Sequence, residues 1–358
     1  MEKQQLISLA DITTAHRVRK SEFFAQINTL IDWNPVEKLL HKYYRKGKSA
    51  SGRESYPALL LFKMTLLQTW YGLSDYELED QVNDRISFSR FVGIPLDATV
   101  PDHSVICRFR GELNKRNAYE KLFTEINRQL EQHNILVRTG VIVDASITDS
   151  PRKPRGKQEY EIVKDREEDK AKADTAKADA IKEEAVKLVK KIQPNVDPDA
   201  AWIEKQKRYR FGYKLHEGVD PNGLILGVHT TPANESDIRN LEPVLDKIEL
   251  EPRATVEGDK GYKSAYNDEV IAERGLRNRI MFRNVKGRKI THWQGVFNKA
   301  VSRTRYKVER TFGSMRRWFG SGTARYVGLT KTHSQHLLEA MAHNLYRAPR
   351  VIISTTEK

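Results

Sequence analysis

At 358 residues, 39% hydrophobic and with a mean hydropathy of −0.65, the chain is long enough for two domains and polar enough for an ordinary soluble protein. Its 62 Lys and Arg against 48 Asp and Glu give a net charge of +14, which points to a polyanionic partner; nucleic acid comes before a membrane surface, since no basic amphipathic helix stands near a terminus, and a merely basic soluble protein is the bland alternative. The lone Cys107 excludes an internal disulfide and a cysteine-rich zinc site, and a polar start without an 18-residue apolar run predicts a cytoplasmic protein with no membrane span.

Residues 1 to about 135 read as almost wholly helical. In SYPALLLFKMTLLQTWYGLS, Ser55 is a candidate cap, Pro57 falls near the first turn and Gly72 ends the helix. The stretch SDYELEDQVNDRISFSRFVG opens on a capping box, Ser74 to Glu77, and runs to Gly93. A third helix restarts after Pro101 and Asp102 and carries Arg108 and Arg110. Three short helices broken by Gly and Pro are either a helix-turn-helix-like DNA-binding unit or a plain helical domain with a solvated basic edge.

The pattern changes at TGVIVDASITDS, where an apolar, β-branched run from Gly140 to Asp144 predicts a buried strand. A Lys-, Ala- and Glu-rich interruption follows at about 151–206, expected to be a solvated helix or a flexible arm, either passive or in contact with DNA or a partner. Then come RFGYKLHEGVD and GLILGVHTTP, two strands joined by a turn of Asp220, Pro221, Asn222 and Gly223. A helix over SDIRNLEPVLDKIEL, a strand ATVEGD ending at Asp259, a strand RNRIMFR and a long helix VFNKAVSRTRYKVERTFGSMRRWFG complete the series. Strands followed by alternating helix and strand predict an α/β fold, a mixed sheet covered by helices.

Asp144 and Asp259 are expected at the ends of two strands, where open sheets place ligands, although Asp is also common where strands turn. On the long helix Val308, Phe312, Met315 and Phe319 form an apolar stripe, and Glu309 sits roughly 100° round from Val308 with Arg305 and Arg316 on its own face. An ion pair with Arg305, worth a few tenths of a kcal/mol, is the structural alternative to a functional Glu309. Three carboxylates meeting at one point repel unless a cation lies among them, and oxygen ligands suit Mg²⁺. Two such ions can activate water or a DNA 3′-hydroxyl for displacement at phosphorus, with the arginines binding the phosphates.

TGVIVDAS, VEGDKGY and RYKVERTFGSMRRWFG, in this order, resemble the DDE motif of bacterial insertion-sequence transposases, with the insertion-sequence-five group the nearest match. GRESYPALLLFKMTLLQTWYGLSDYELEDQV and PDHSVICRFR resemble that group's amino-terminal domain, so the resemblance spans about 50 to 347. It implies a ribonuclease-H-like catalytic domain at 136–350, an all-helical DNA-binding domain at 1–135, and the 151–206 segment as a charged helical or flexible insertion. It further implies Asp144, Asp259 and Glu309 as catalytic ligands of Mg²⁺, with Mn²⁺ as a substitute. The family's third motif is Tyr, Arg, Glu and Lys at fixed spacing; Arg305 and Glu309 match, Ser302 replaces the Tyr and Arg316 the Lys, keeping the charge. Arg305, Arg316, Arg108, Arg110 and Lys214 are the expected DNA contacts, and His216, Asn234 and Asp237 are further candidates, His216 being as readily a satisfied strand histidine. The implied partners are double-stranded DNA, as terminal inverted repeats and target, and further copies of the chain in a homodimer or higher oligomer on DNA. The implied activity is DNA cleavage and joining of 3′ ends; a transposase-derived DNA-binding protein without catalysis, or a nuclease or resolvase on the same fold, are the alternatives.

Overall fold

The computed structural model describes residues 22–44, 55–155, 160–164, 186–190, 193–205, 207–284 and 289–356. Among the described residues seven helices come first: α1 (Glu22–Leu30), α2 (Trp33–Tyr43), α3 (Ala58–Tyr71), α4 (Asp75–Asp84), α5 (Ile86–Val92), α6 (His103–Lys115) and α7 (Ala118–Gln132). Helix α3 is buried on nearly every side, and the core surrounds it. It begins after Pro57 and not at Ser55, because a proline holds the residue before it in extended conformation. Gly72 closes it in the left-handed conformation, φ +65°. Both bonds of the Ser74–Glu77 capping box are made. The helix expected to run on to Gly93 instead breaks at Arg85, whose φ and ψ are −101° and 107°; the buried Ser89 hydroxyl donates to the Val82 carbonyl at 2.6 Å and satisfies it across the break.

The strands are β1 (Gly140–Asp149), β2 (Tyr160–Lys164), β3 (Val186–Lys190), β4 (Ala201–Lys205), β5 (Arg208–Val219), β6 (Ile225–Pro232), β7 (Thr255–Gly258) and β8 (Arg277–Ile280). They make a sheet in the order β6-β5-β1-β7-β8, with β4 also on β5; the β4, β5, β6 and β1 pairings are antiparallel and those of β1 with β7 and β7 with β8 are parallel. This mixed sheet is the ribonuclease-H-like class expected. Between β6 and β7 the expected helix shrinks to a 3₁₀ turn (Asp237–Asn240) and the short α8 (Leu241–Leu245). Helix α9 (Ala265–Glu273) links β7 to β8. Helix α10 (His292–Phe319) starts earlier than read from the sequence, on a second capping box of Thr291 and Gln294, and α11 (Leu329–Thr356) was not anticipated at all.

The insertion needs correction. Its Lys- and Ala-rich centre lies outside the described residues, but its edges are strands: β2 pairs with β3 in a two-stranded sheet, and β4 joins β5. The β-branched Val186 and Val189 around Leu188 suit a strand better than the expected helix. One apolar cluster runs from Phe24 to Ala348, so the helical segment and the sheet share a core; α11 packs on β6, α7 and α3, and Trp70 Nε1 donates to the Ala342 carbonyl at 2.8 Å.

Candidate active site

Asp144 does not end its strand. β1 continues five residues beyond it, because residues 145–149 keep their pairing with β5, from Ala145 opposite His216 to Asp149 opposite Gly212. What ends at Asp144 is the neighbour on the other side: Val143 is the last residue paired with β7, opposite Gly258, and Asp259 follows at once. Side chains alternate along strands, so Asp144, Asp259, Glu257 and, across β5, Glu217 share one sheet face. Helix α10 covers that face, bonding through Thr304 to Glu257, through Arg305 to Asp144 and through Arg316 to Ser146.

Arg305 is the centre of the arrangement. Its Nη1 donates to Asp144 Oδ2 at 2.7 Å and its Nη2 to Glu309 Oε1 at 2.5 Å, so one guanidinium holds two of the three acids. Asp144 Oδ1 accepts from the Ala145 amide, and Asp259 caps the turn after β7 by accepting from Lys260 N at 2.7 Å. Burial pushes the Asp144 pKa up, Arg305 opposes it, and the negative charge of Asp259 adds to the rise. Acids held in this way fit a hard divalent cation in kind. As placed, no three Asp, Glu, His or Cys groups among the described residues converge to hold a metal; Arg305 stands between Asp144 and Glu309, and a cation shared by them must displace it.

Residues 13–112 match a family described as a transposase domain (DUF772), and residues 135–345, more than half of the chain, match the transposase DDE domain. The chain belongs to the DDE transposase family. A cryo-EM structure of the piggyBac transposase synaptic complex with hairpin DNA is similar over 94% of this chain and 76% of that one, at 10% identity and a TM-score of 0.45. Asp144, Asp259 and Glu309 all lie in the matched DDE segment.

The expected DNA contacts of this transposase fall in different places. Arg316 Nη2 reaches Ser146 Oγ at 2.6 Å, close along β1 from Asp144. Arg108 is exposed and donates to the Ser104 hydroxyl. Arg110 is corrected: it is buried, forked onto Asp75 with both bonds at 2.6 Å, bonded to Gln68 and stacked over Tyr326, because its helix turns that side toward α3 and α4. Lys214 is corrected too. It lies on the sheet face opposite Asp144, enclosed, with Nζ on the Glu235 carbonyl and on Asp237. His216 is buried with Nε2 against the Thr231 hydroxyl and Nδ1 without a partner, and burial lowers its pKa to about 3, so it is a buried strand histidine only half satisfied. Asn234 is exposed, and Ser302 faces Met281.

Three groups escaped the sequence reading. Glu217, directly across from Asp144, is wholly buried with both carboxylate oxygens unpartnered; burial pushes its pKa well up, and the charges of Glu339 and Asp144 add to this. Tyr262 has a buried, unpartnered hydroxyl within the influence of Asp144, Asp237 and Asp259. Arg210 forks onto Asp149 at the end of β1. Each depends on a partner strand or turn far along the chain, so only the period-2 alternation of β5, which puts Glu217 inside, gave any signal.

Proposed function

We propose that this chain is a transposase of the insertion-sequence-five group, which binds the ends of its element, cleaves DNA there and joins the 3′ ends to target DNA. Asp144, Asp259 and Glu309 hold Mg²⁺ or Mn²⁺, the helical segment at 1–135 reads element ends through groups such as Arg108, the catalytic unit at 136–350 does the chemistry, and the protein works as a dimer or higher oligomer on DNA. The observation that carries the reading is the bridging of Asp144 and Glu309 by Arg305 with Asp259 at the adjoining strand end: three acids far apart in sequence, brought to one face beside two arginines.

Divalent cations at such a site activate water or a 3′-hydroxyl and stabilise the leaving oxygen. The protein's own groups do the positioning. Arg305, released from its carboxylates, presents a planar fork to a phosphate, and Arg316 offers a second one further along β1. β1 and β7 fix Asp144 and Asp259 on rigid, paired backbone, which keeps the acids in place as a strand is drawn across them.

The test is Glu309→Gln in the full chain. Glu309 is exposed, and loss of the ion pair with Arg305 should cost stability about 0.5 kcal/mol or less. DNA binding should hold, while cleavage and joining with Mg²⁺ on duplexes carrying the element ends fall by orders of magnitude, because an amide oxygen is a far weaker ligand for a hard cation. Near wild-type cutting would leave Glu309 a helix ion-pair partner only. Cleavage without joining by the wild type assigns a nuclease instead.

A further inference from the structure

The β4–β5 ribbon leaves the sheet where β5 crosses the end of β1. A Cβ built on Gly212 would lie 2.1 Å from the Thr148 carbonyl oxygen, so the two backbones touch there and only glycine fits. Gly212 is the last residue of β5 paired with β1, and from Phe211 back to Arg208 the strand pairs with β4 alone, from Trp202 opposite Phe211 to Lys205 opposite Arg208. Pairing puts Trp202, Glu204, Tyr209 and Phe211 on one face of this ribbon, and Ile203, Lys205, Arg208 and Arg210 on the other. The tip is basic and exposed at Lys205, Lys207 and Arg208, and its aromatics are open to solvent, Tyr209 by 71% and Trp202 by 42%. Glu204 is the one acid on it.

The ribbon reaches toward the carboxylates. Lys205 is close enough to Asp144 to lower its pKa, against the larger effect of burial. At the base, Arg210 and Arg316 each place an Nη2 within 3.4 Å of the same carbonyl oxygen, that of Ile147. Among the described residues Asp149 is the carboxylate bonded there, and it forks onto Arg210. Two guanidiniums sharing one oxygen with one carboxylate leave positive charge over, which a phosphate satisfies.

We propose that this ribbon is a second DNA-binding surface, and that double-stranded DNA continuing past the reacting phosphate lies along its basic face, held through backbone phosphates by Arg316, Arg210, Arg208 and Lys205. This rests on the reading of the carboxylate site as a DNA-processing centre. It gives β4, at the end of the insertion, and the start of β5 the task of fixing where the DNA runs.

The experiment measures binding of the full chain to a short random-sequence duplex across a salt series. The ribbon variant K205E/R208E is compared with R253E/R277E, an equal charge change on exposed arginines at the starting ends of β7 and β8, the other end of the sheet from Asp259. The ribbon variant should lose affinity by about tenfold or more, and its salt slope should flatten by roughly 1.8, two phosphates at about 0.9 each. Tyr209→Ala, an exposed position on the opposite face of the ribbon, should leave binding and slope within about twofold of wild type. The control should stay within about twofold of wild type, since exposed charges further away than a Debye length are screened. Equal losses in ribbon and control variants, or none in K205E/R208E, overturn the proposal while leaving the carboxylate site untouched. A wild type that binds no duplex at all removes the DNA reading itself.

Discussion

Arg110 and Arg305 are both salt-bridged arginines in helices, and their surroundings give them opposite roles. Arg110 is nine-tenths enclosed and its fork is fully used by Asp75 and Gln68, so it has nothing to offer a phosphate. Removing it strands a carboxylate that is itself mostly buried. Arg110→Ala is therefore expected to destabilise the fold by an amount toward the lower end of the roughly 3–5 kcal/mol seen for broken buried pairs, Asp75 being partly open to water. Urea unfolding measures this, and duplex affinity of the folded variant should be unchanged. A variant as stable as wild type but weak on DNA would restore Arg110 to the binding surface. Arg305, in contrast, bonds to two acids whose burial differs widely, and its pair with exposed Glu309 contributes little stability. That makes it free to change partners.

At the level of elements, the junction of β1 with the ribbon has the tightest tolerance. Gly212 lies against the Thr148 carbonyl, the Ser150 amide and the Asp149 Cα, all backbone atoms that cannot turn aside as a side chain can. Gly212→Ala is expected to cost at least the upper end of the roughly 1–3 kcal/mol of ordinary overpacking, because it forces β5 off β1 and breaks the Ser150 to Phe211 hydrogen bond. Thermal unfolding gives the answer, and a melting point equal to wild type would mean that the strands part there without loss. Gly72, with open space around it and φ +65°, serves a different need, the left-handed end of α3.

For the whole molecule, the decisive element is α11. It packs on β6 in the sheet and on α7 and α3 in the helical segment, and Trp70 reaches across to its backbone. Asn344 ties the two sides again, bonding Asn127 of α7 and the amide and carbonyl of Ile225 in β6. With one continuous apolar cluster, the chain should unfold calorimetrically in a single transition, and ending it at residue 328 should unfold the helical segment together with the sheet. Two separate transitions would show that 1–135 and 136–350 are independent folding units. Among the described residues no helix is long and apolar enough to cross a membrane.

The sequence alone determined whatever depends on a few neighbouring residues. The capping box at Ser74, the left-handed ends at Gly72 and Gly93, the Asp220–Gly223 turn and the apolar stripe of α10 are backbone hydrogen bonding and periodicity, written within a turn or two of chain. The three candidate acids were singled out as well, through the motifs around them. The tertiary structure alone decided which charges face water and which face each other. Arg110 meets Asp75 from 35 residues away and Arg305 meets Asp144 from 161, and the length of β1 beyond Asp144 is set by β5, more than 60 residues on. A cation's role is fixed by the partner that desolvates with it, and that partner is chosen by the packing of the sheet against α10 and α11, a long-range property that no local pattern carries.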